Sequence, residues 1–333
     1  FPLQPLHIAY GTDITVQNGT VNAGRTLFLA ARVDAADINS DPFYWKTETS
    51  LNPNVSLLVG SGLSSPVTNP IDVNDTNGTG ATTIGFVSGA VRGTTTLSGN
   101  VTLQSQIAGA EDKDLFLNAE VCTDLVFGGS ITDPGAGDTL NLIKTGTGTV
   151  TLAGANDFNG ITRVQAGVLK LDNASALGAS NAGSGNLNIA GGIVGLTAAS
   201  GDLTARALGT GAGQIQWTDS GGFAAFGTDR TVNVGANVTW GVTPGFVATG
   251  KELVFGTEHA SNKAGLSTSI ALGTTRRTVQ VDNDATCAGW AEHERGAARG
   301  CNHSITITLG TGIGAGLTVK GEVLRGAHGY AGE

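Results

Sequence analysis

The chain has 333 residues, of which 40% are hydrophobic, enough to bury a substantial core. Only 14% are charged and 52 are glycine, whereas globular chains average about 25% charged residues and about 7% glycine. This balance excludes a helical bundle, a coiled coil and a charged disordered chain, and it favours short strands joined by tight turns.

The net charge of −9 repels phosphate backbones, so nucleic acid is not expected as a partner. No apolar run reaches the length of about 18 residues that a spanning helix needs, so no membrane span is expected. The chain starts at Phe1 and contains no Met. It therefore reads as a processed product or a fragment, without a leader or anchor in the sequence itself. Cys122, Cys287 and Cys301 are too few for a disulfide framework and read as buried or idle thiols.

Taken in chain order, residues 1–93 carry no recognisable motif and read as an N-terminal β-rich region or cap. Strand patterning begins with TTTLSGNVT at Thr94–Thr102 and continues through Leu125–Ile131. From Thr147 to Leu177 it is sustained: Val150 and Leu152 alternate with Thr149 and Thr151, and Leu169 and Leu171 flank Lys170. A period of two means that one face of each strand is buried. Gly154, Asn159–Gly160, Gly167 and Asn173 punctuate these strands at turns. Further alternating pairs follow at Leu187/Ile189, Ile215/Trp217, Val232/Val234, Val238/Trp240, Leu253/Phe255, Ile270/Leu272 and Val279/Val281.

Such repetition over residues 94–281 predicts an all-β fold, a parallel β-helix (solenoid), with a β-sandwich as the alternative. Thr and Asn are assigned to its outer surface. Trp217, Phe223, Phe226, Trp240 and Phe246 are read as core stacking rather than as a sugar platform. The five His residues are scattered, and the Asp72–Asp75 and Asp133–Asp138 stretches do not match a calcium loop, so no metal site is expected.

The segment from Ile143 to Gly178 resembles the autotransporter-associated β-strand repeat. The matching positions are Lys144, Gly146, Gly148 and Thr149; then Leu152, Gly154, Ala155, Asn156, Phe158 and Gly160; then Val164, Gly167 and Leu169. The resemblance implies a right-handed β-helix in a secreted or surface-exposed bacterial passenger region. Its partners would be further copies of itself or cell-surface and matrix components, with carbohydrate as a further candidate.

After Val281 the pattern changes. Ala285, Ala288, Ala291 and Glu292 recur at helical spacing behind Asp284, which predicts a helix from Ala285 to about Arg295. A strand, SITITLG, follows, then a glycine-rich stretch at Gly310–Gly316 and a second strand at Leu317–Lys320. These two strands are expected to pair as a hairpin or to add to the last rung of the body, the helix capping its open end. Residues 282–333 thus form a small α/β segment.

This segment resembles a fragment of the ROK family of sugar kinases and repressors. The resemblance rests on Asn283–Asp284–Ala285, on Gly310–Thr311–Gly312–Ile313–Gly314, and on Arg325, Gly326, Gly329, Ala331, Gly332 and Glu333. It implies that Asp284 is the base that takes the sugar hydroxyl's proton and that Asn283 and Glu333 hydrogen-bond sugar hydroxyls. Gly310, Thr311, Gly312 and Gly314 would contact phosphate, with ATP and magnesium as cofactors. The family's Asp-x-Gly-Gly-Thr phosphate loop has no counterpart here, and Ile8–Val16 does not supply one. Its sugar-binding Gly-x-Pro-Gly segment is also absent. On this balance the sequence reading expects a non-catalytic, adhesive or structural β-solenoid without cofactors, with the sugar kinase as the alternative.

Overall fold

The computed structural model describes residues 6–7, 26–29, 43–47, 55–60, 71–75, 81–87, 93–105, 112–120, 123–132, 139–178, 185–204, 206–235, 237–257, 260–281, 292–293, 296–309 and 313–324. These residues are mostly strand, and helix among them is confined to Glu292–His293.

The body is built of parallel sheets. Among the described residues the longest runs, strand beside strand, through Leu6–His7, Thr26–Leu29, Val55–Gly60, Ala81–Val87, Asp112–Ala119, Thr139–Thr145, Thr162–Val164, Leu187–Ile189 and Ile215–Trp217. A second runs from Gly93–Leu97 through Thr123–Phe127, Thr149–Leu152, Val168–Leu171, Ile193–Leu196, Gly221–Ala225 and Glu252–Phe255 to Thr278–Val281. A third comprises Phe43–Thr47, Ile71–Asp75, Val101–Ser105 and Ile131–Thr132.

The chain visits these sheets in rotation. Gly93–Leu97 lies in the second, Val101–Ser105 in the third, Asp112–Ala119 in the first, and Thr123–Phe127 in the second again. Parallel neighbours cannot be joined by a two-residue hairpin. The intervening residues therefore pass through the other sheets and return one strand spacing, about 4.8 Å, further along. A sandwich built from hairpins would give antiparallel ladders, and the ladders of the body are parallel. Strands that precede residue 94 belong to the same ladders: Ala81–Val87 pairs with Asp112–Ala119, and Ile71–Asp75 with Val101–Ser105.

This register stacks like on like. In the second sheet Leu125, Val150, Leu169, Val194 and Phe223 are successive partners, and all are buried. Beside them Phe127, Leu152, Leu171 and Leu196 form a second buried column. Facing columns from the first sheet include Leu115, Leu142, Leu187 and Ile215. Burying each such side chain contributes about 1.5–3 kcal/mol, so the columns are the main source of cohesion. Towards the C-terminal end of the body the columns widen to admit aromatic rings. Trp217 meets Phe223 at 5.7 Å and Phe246 at 5.4 Å, and Trp240 meets Phe246 at 6.0 Å, all edge to face. These four rings are core, as expected. Phe226 lies outside the columns, with the Lys170 ammonium 5.4 Å from its ring centre.

One expectation is corrected here. Several Asn and Thr side chains point inward, among them Asn156, Asn186, Asn188 and Thr162, all buried. The cause is the backbone between sheets, where N–H and C=O groups have no ladder partner and must be satisfied from elsewhere. Asn156 Oδ1 accepts the Ile131 N–H at 2.9 Å while its Nδ2 donates to Ala176 O at 2.6 Å. Asn186 Nδ2 donates to Gly209 O at 2.8 Å and Gly211 O at 3.1 Å. Arg206 does the same with a charge: it is buried and its guanidinium donates to Gly185 O at 2.8 Å. Burial pushes this guanidinium down to about 10.

The end of the body is less well covered. Thr278–Val281 is outermost in its sheet, and Val279 and Leu272 are 46% and 53% exposed. The strands that follow form a separate antiparallel sheet. His303–Leu309 pairs with Ile313–Val319, which pairs in turn with Glu322–Val323. Of the two arrangements expected for these strands, the structure adopts the hairpin.

Candidate functional site

Two places are electrostatically or chemically distinctive: a buried cation inside the body, and the C-terminal segment.

Lys144 occupies an inward position of strand Thr139–Thr145, between Leu117 and Val164 in the stacked register. It is fully buried. Its Nζ donates to Thr145 O at 2.6 Å, Gly146 O at 2.7 Å and Ala166 O at 3.0 Å, so each ammonium proton has a carbonyl acceptor. Burial pushes the ammonium down to about 7, and the Glu120 carboxylate pulls in the opposite direction. Gly146, with φ of 69°, turns its carbonyl towards this cage. All the acceptors are main-chain groups, so Lys144 acts as an internal staple between successive strands. The sequence reading placed Lys144 in the repeat and missed this role. The available signal was its position two residues after Leu142 on the inward parity of the strand.

In the C-terminal segment most of the expected site residues, namely Asn283, Asp284, Gly310, Thr311, Gly312 and Glu333, lie outside the described residues. So does most of the helix expected from Ala285 to about Arg295. Glu292 and His293 are helical, and Glu292 Oε2 accepts the Ala297 N–H at 2.7 Å just beyond. Gly314 is described, and its position differs from the expected loop. The strand begins at Ile313, so Gly314 pairs with Thr308 and Gly316 with Thr306. Glycine weakens a strand without breaking it, and the continuous Ser304–Leu309 partner holds both in the ladder. The stretch available to a ligand between the strands thereby shrinks to residues 310–312.

The hairpin is held at its other end as well. The Gly321 N–H donates to Asn302 O at 2.9 Å and the Lys320 N–H to His303 Nδ1 at 3.4 Å. No group of three His, Cys, Asp or Glu side chains able to hold a metal ion occurs among the described residues. Cys301 is exposed and unpaired. No helix among the described residues is long and apolar enough to cross a membrane.

Comparison with known proteins places both distinctive regions. Residues 142–171 match the passenger-associated-transport-repeat, the stretch that contains Lys144 and its acceptors. Residues 228–333 match the ROK family. The chain is 46% identical over 59 residues to a glucokinase of Halalkalibacterium halodurans, covering 18% of each chain. It is 44% identical over 55 residues to a glucokinase of Streptomyces coelicolor, covering 16% of this chain and 17% of that one. It is 42% identical over 55 residues to a β-glucoside kinase of Listeria monocytogenes, covering 16% of this chain and 19% of that one. The chain thus spans less than a fifth of the length of the curated relatives it matches. No solved structure matches it.

These matches correct the expectation of a non-catalytic chain. A family of sugar kinases and the individual kinases within it both align with the C-terminal segment. The sequence reading gave more weight to the long strand-rich body than to the short segment that carries the chemistry.

Proposed function

We propose that the C-terminal segment provides the sugar-handling part of an ATP-dependent sugar kinase, carried on a β-helical body. The observation that supports this reading is the 46% identity over 59 residues to a glucokinase. In this proposal Asp284 accepts the proton of the attacking sugar hydroxyl, and Asn283 and Glu333 hydrogen-bond neighbouring hydroxyls. A carboxylate suits that task because phosphoryl transfer needs the nucleophile oriented and relieved of its proton. The turn at residues 310–312 offers backbone N–H groups to a phosphate, with Gly314 at the start of the following strand. ATP supplies the phosphoryl group, and no side chain is assigned to the magnesium that accompanies it. The substrate class is a hexose or a substituted hexose.

A coupled assay with the full chain, ATP and magnesium tests this against glucose, a β-glucoside and N-acetylgalactosamine. Turnover of at least one sugar is expected, with a loss of about a hundredfold or more in Asp284→Asn. Turnover of none of the three, or equal turnover by the variant, contradicts it.

For residues 94–281 we propose a right-handed parallel β-helix that serves as a scaffold in a secreted or surface-displayed bacterial protein. The repeat match and the rotation of the chain through three parallel sheets support this. Surface biotinylation of intact source cells tests the placement. Labelling of the chain is expected, and protection of every lysine contradicts it.

A further inference from the structure

The C-terminal hairpin has its faces the unusual way round. Thr318 is buried, and its hydroxyl and that of its cross-strand partner Ser304 find no hydrogen-bond partner. On the opposite face Ile305 is 68% exposed and Ile307 is 62% exposed, with Val319 and Leu324 also exposed nearby. The strand that carries the isoleucines, His303–Leu309, is outermost in its sheet, and among the described residues no strand pairs with its outer edge.

Natural edges of this kind carry a lysine, a proline or a bulge to prevent pairing with another chain. This one carries none of them. Its sequence HSITITL holds no Lys, Pro or Gly, and it runs one to one against Ile313–Val319 without a bulge. The strand is also self-complementary. Antiparallel pairing about a two-fold axis at Thr306 sets Ile305 opposite the other copy's Ile307, and the reverse, with Ser304 opposite Thr308 and His303 opposite Leu309. No acidic or lysine side chain faces another, so nothing in the charge pattern opposes the match.

We propose that His303–Leu309 is a dimerisation edge, which pairs antiparallel with the same strand of a second copy to make one continuous six-stranded sheet. The contact is isologous, so it closes at two copies. Its main-chain hydrogen bonds provide attraction, and the Ile305–Ile307 pairs fix the register.

Sedimentation equilibrium of the full chain tests this with three variants at positions already exposed, so the fold is not at risk. The unaltered chain is expected to dimerise. Ile305→Lys alone and Ile307→Glu alone each place a charge against an isoleucine, and each weakens the dimer by about tenfold or more. The double variant Ile305→Lys/Ile307→Glu in one chain sets opposite charges across the axis twice, and it restores dimerisation in a salt-sensitive way. A monomer at all concentrations overturns the proposal. So do single variants that dimerise as well as the unaltered chain, and so does a double variant that stays as weak as the singles.

Discussion

At the scale of the residue, Lys144 is the most consequential side chain in the body. Three carbonyls accept its three protons, and no water reaches it. Lys144→Met keeps the volume of the aliphatic stem but leaves those carbonyls without a donor. The expected cost is about 3 kcal/mol at pH 6, read from a urea unfolding midpoint. The direction with pH follows from burial. The folded chain releases this proton near 7, whereas the unfolded chain holds it to 10.5. Unfolding therefore takes up a proton between those values, and stability rises with pH across that window by up to about 1.4 kcal/mol per unit. Thermal melts from pH 7 to pH 10 are expected to show this extra rise in the unaltered chain and not in Lys144→Met. Parallel curves would show that the ammonium stays charged throughout.

The role of Lys144 was only half legible in the sequence. The parity of Leu142 and Lys144 placed both on the inner face of one strand. A lysine is nonetheless read as surface, because burial of an ammonium is unfavourable unless acceptors are supplied. Here the acceptors are main-chain groups of the following turn and of Ala166, twenty-two residues away, a contact that no local pattern carries. Asn156 and Asn186 were misplaced for the same reason, since their partners lie one turn of the chain away.

At the scale of the element, the spacing of glycines follows from how closely one turn sits on the next. A Cβ at Gly129 would stand 2.2 Å from Gly99 O, and one at Gly154 would stand 2.0 Å from Gly129 O. The three positions form a column in which backbone rests on backbone. The adjacent Gly128 is different: a Cβ there meets nothing closer than 3.4 Å and faces solvent. Gly129→Ala is therefore expected to destabilise the body by about 2 kcal/mol more than Gly128→Ala, as judged by their urea midpoints. Equal midpoints would show that successive turns can separate at no cost.

The strands themselves were legible, because alternation such as Val150/Leu152 and Leu169/Leu171 is imposed by the pleat. The end of the glycine stretch was not. Gly314 and Gly316 look like loop residues in isolation, and only the uninterrupted β-branched partner Ser304–Leu309 reveals that both are held in a strand.

At the scale of the whole molecule, two kinds of chemistry meet in one chain. The parallel body is held by stacked columns and buried amides. The C-terminal segment carries the Asn283–Asp284 pair and a glycine turn on a hairpin whose apolar face is open. The match to the ROK family begins at residue 228, so it includes Arg230–Val232 and Glu252–Phe255, which pair in parallel with strands of the body. The motif of the site was readable from local strings. How its parts converge was not, because Asp284 and Glu333 are joined in space only by tertiary packing.

Saturation-transfer NMR between the full chain and glucose, a β-glucoside and N-acetylgalactosamine tests the sugar-handling reading most directly, since it does not depend on turnover. The reading predicts transfer to the protons of at least one sugar, lost in Asp284→Asn and in Glu333→Gln while the strand-rich circular dichroism spectrum is retained. No transfer to any of the three sugars, or transfer undiminished in both variants, would contradict it.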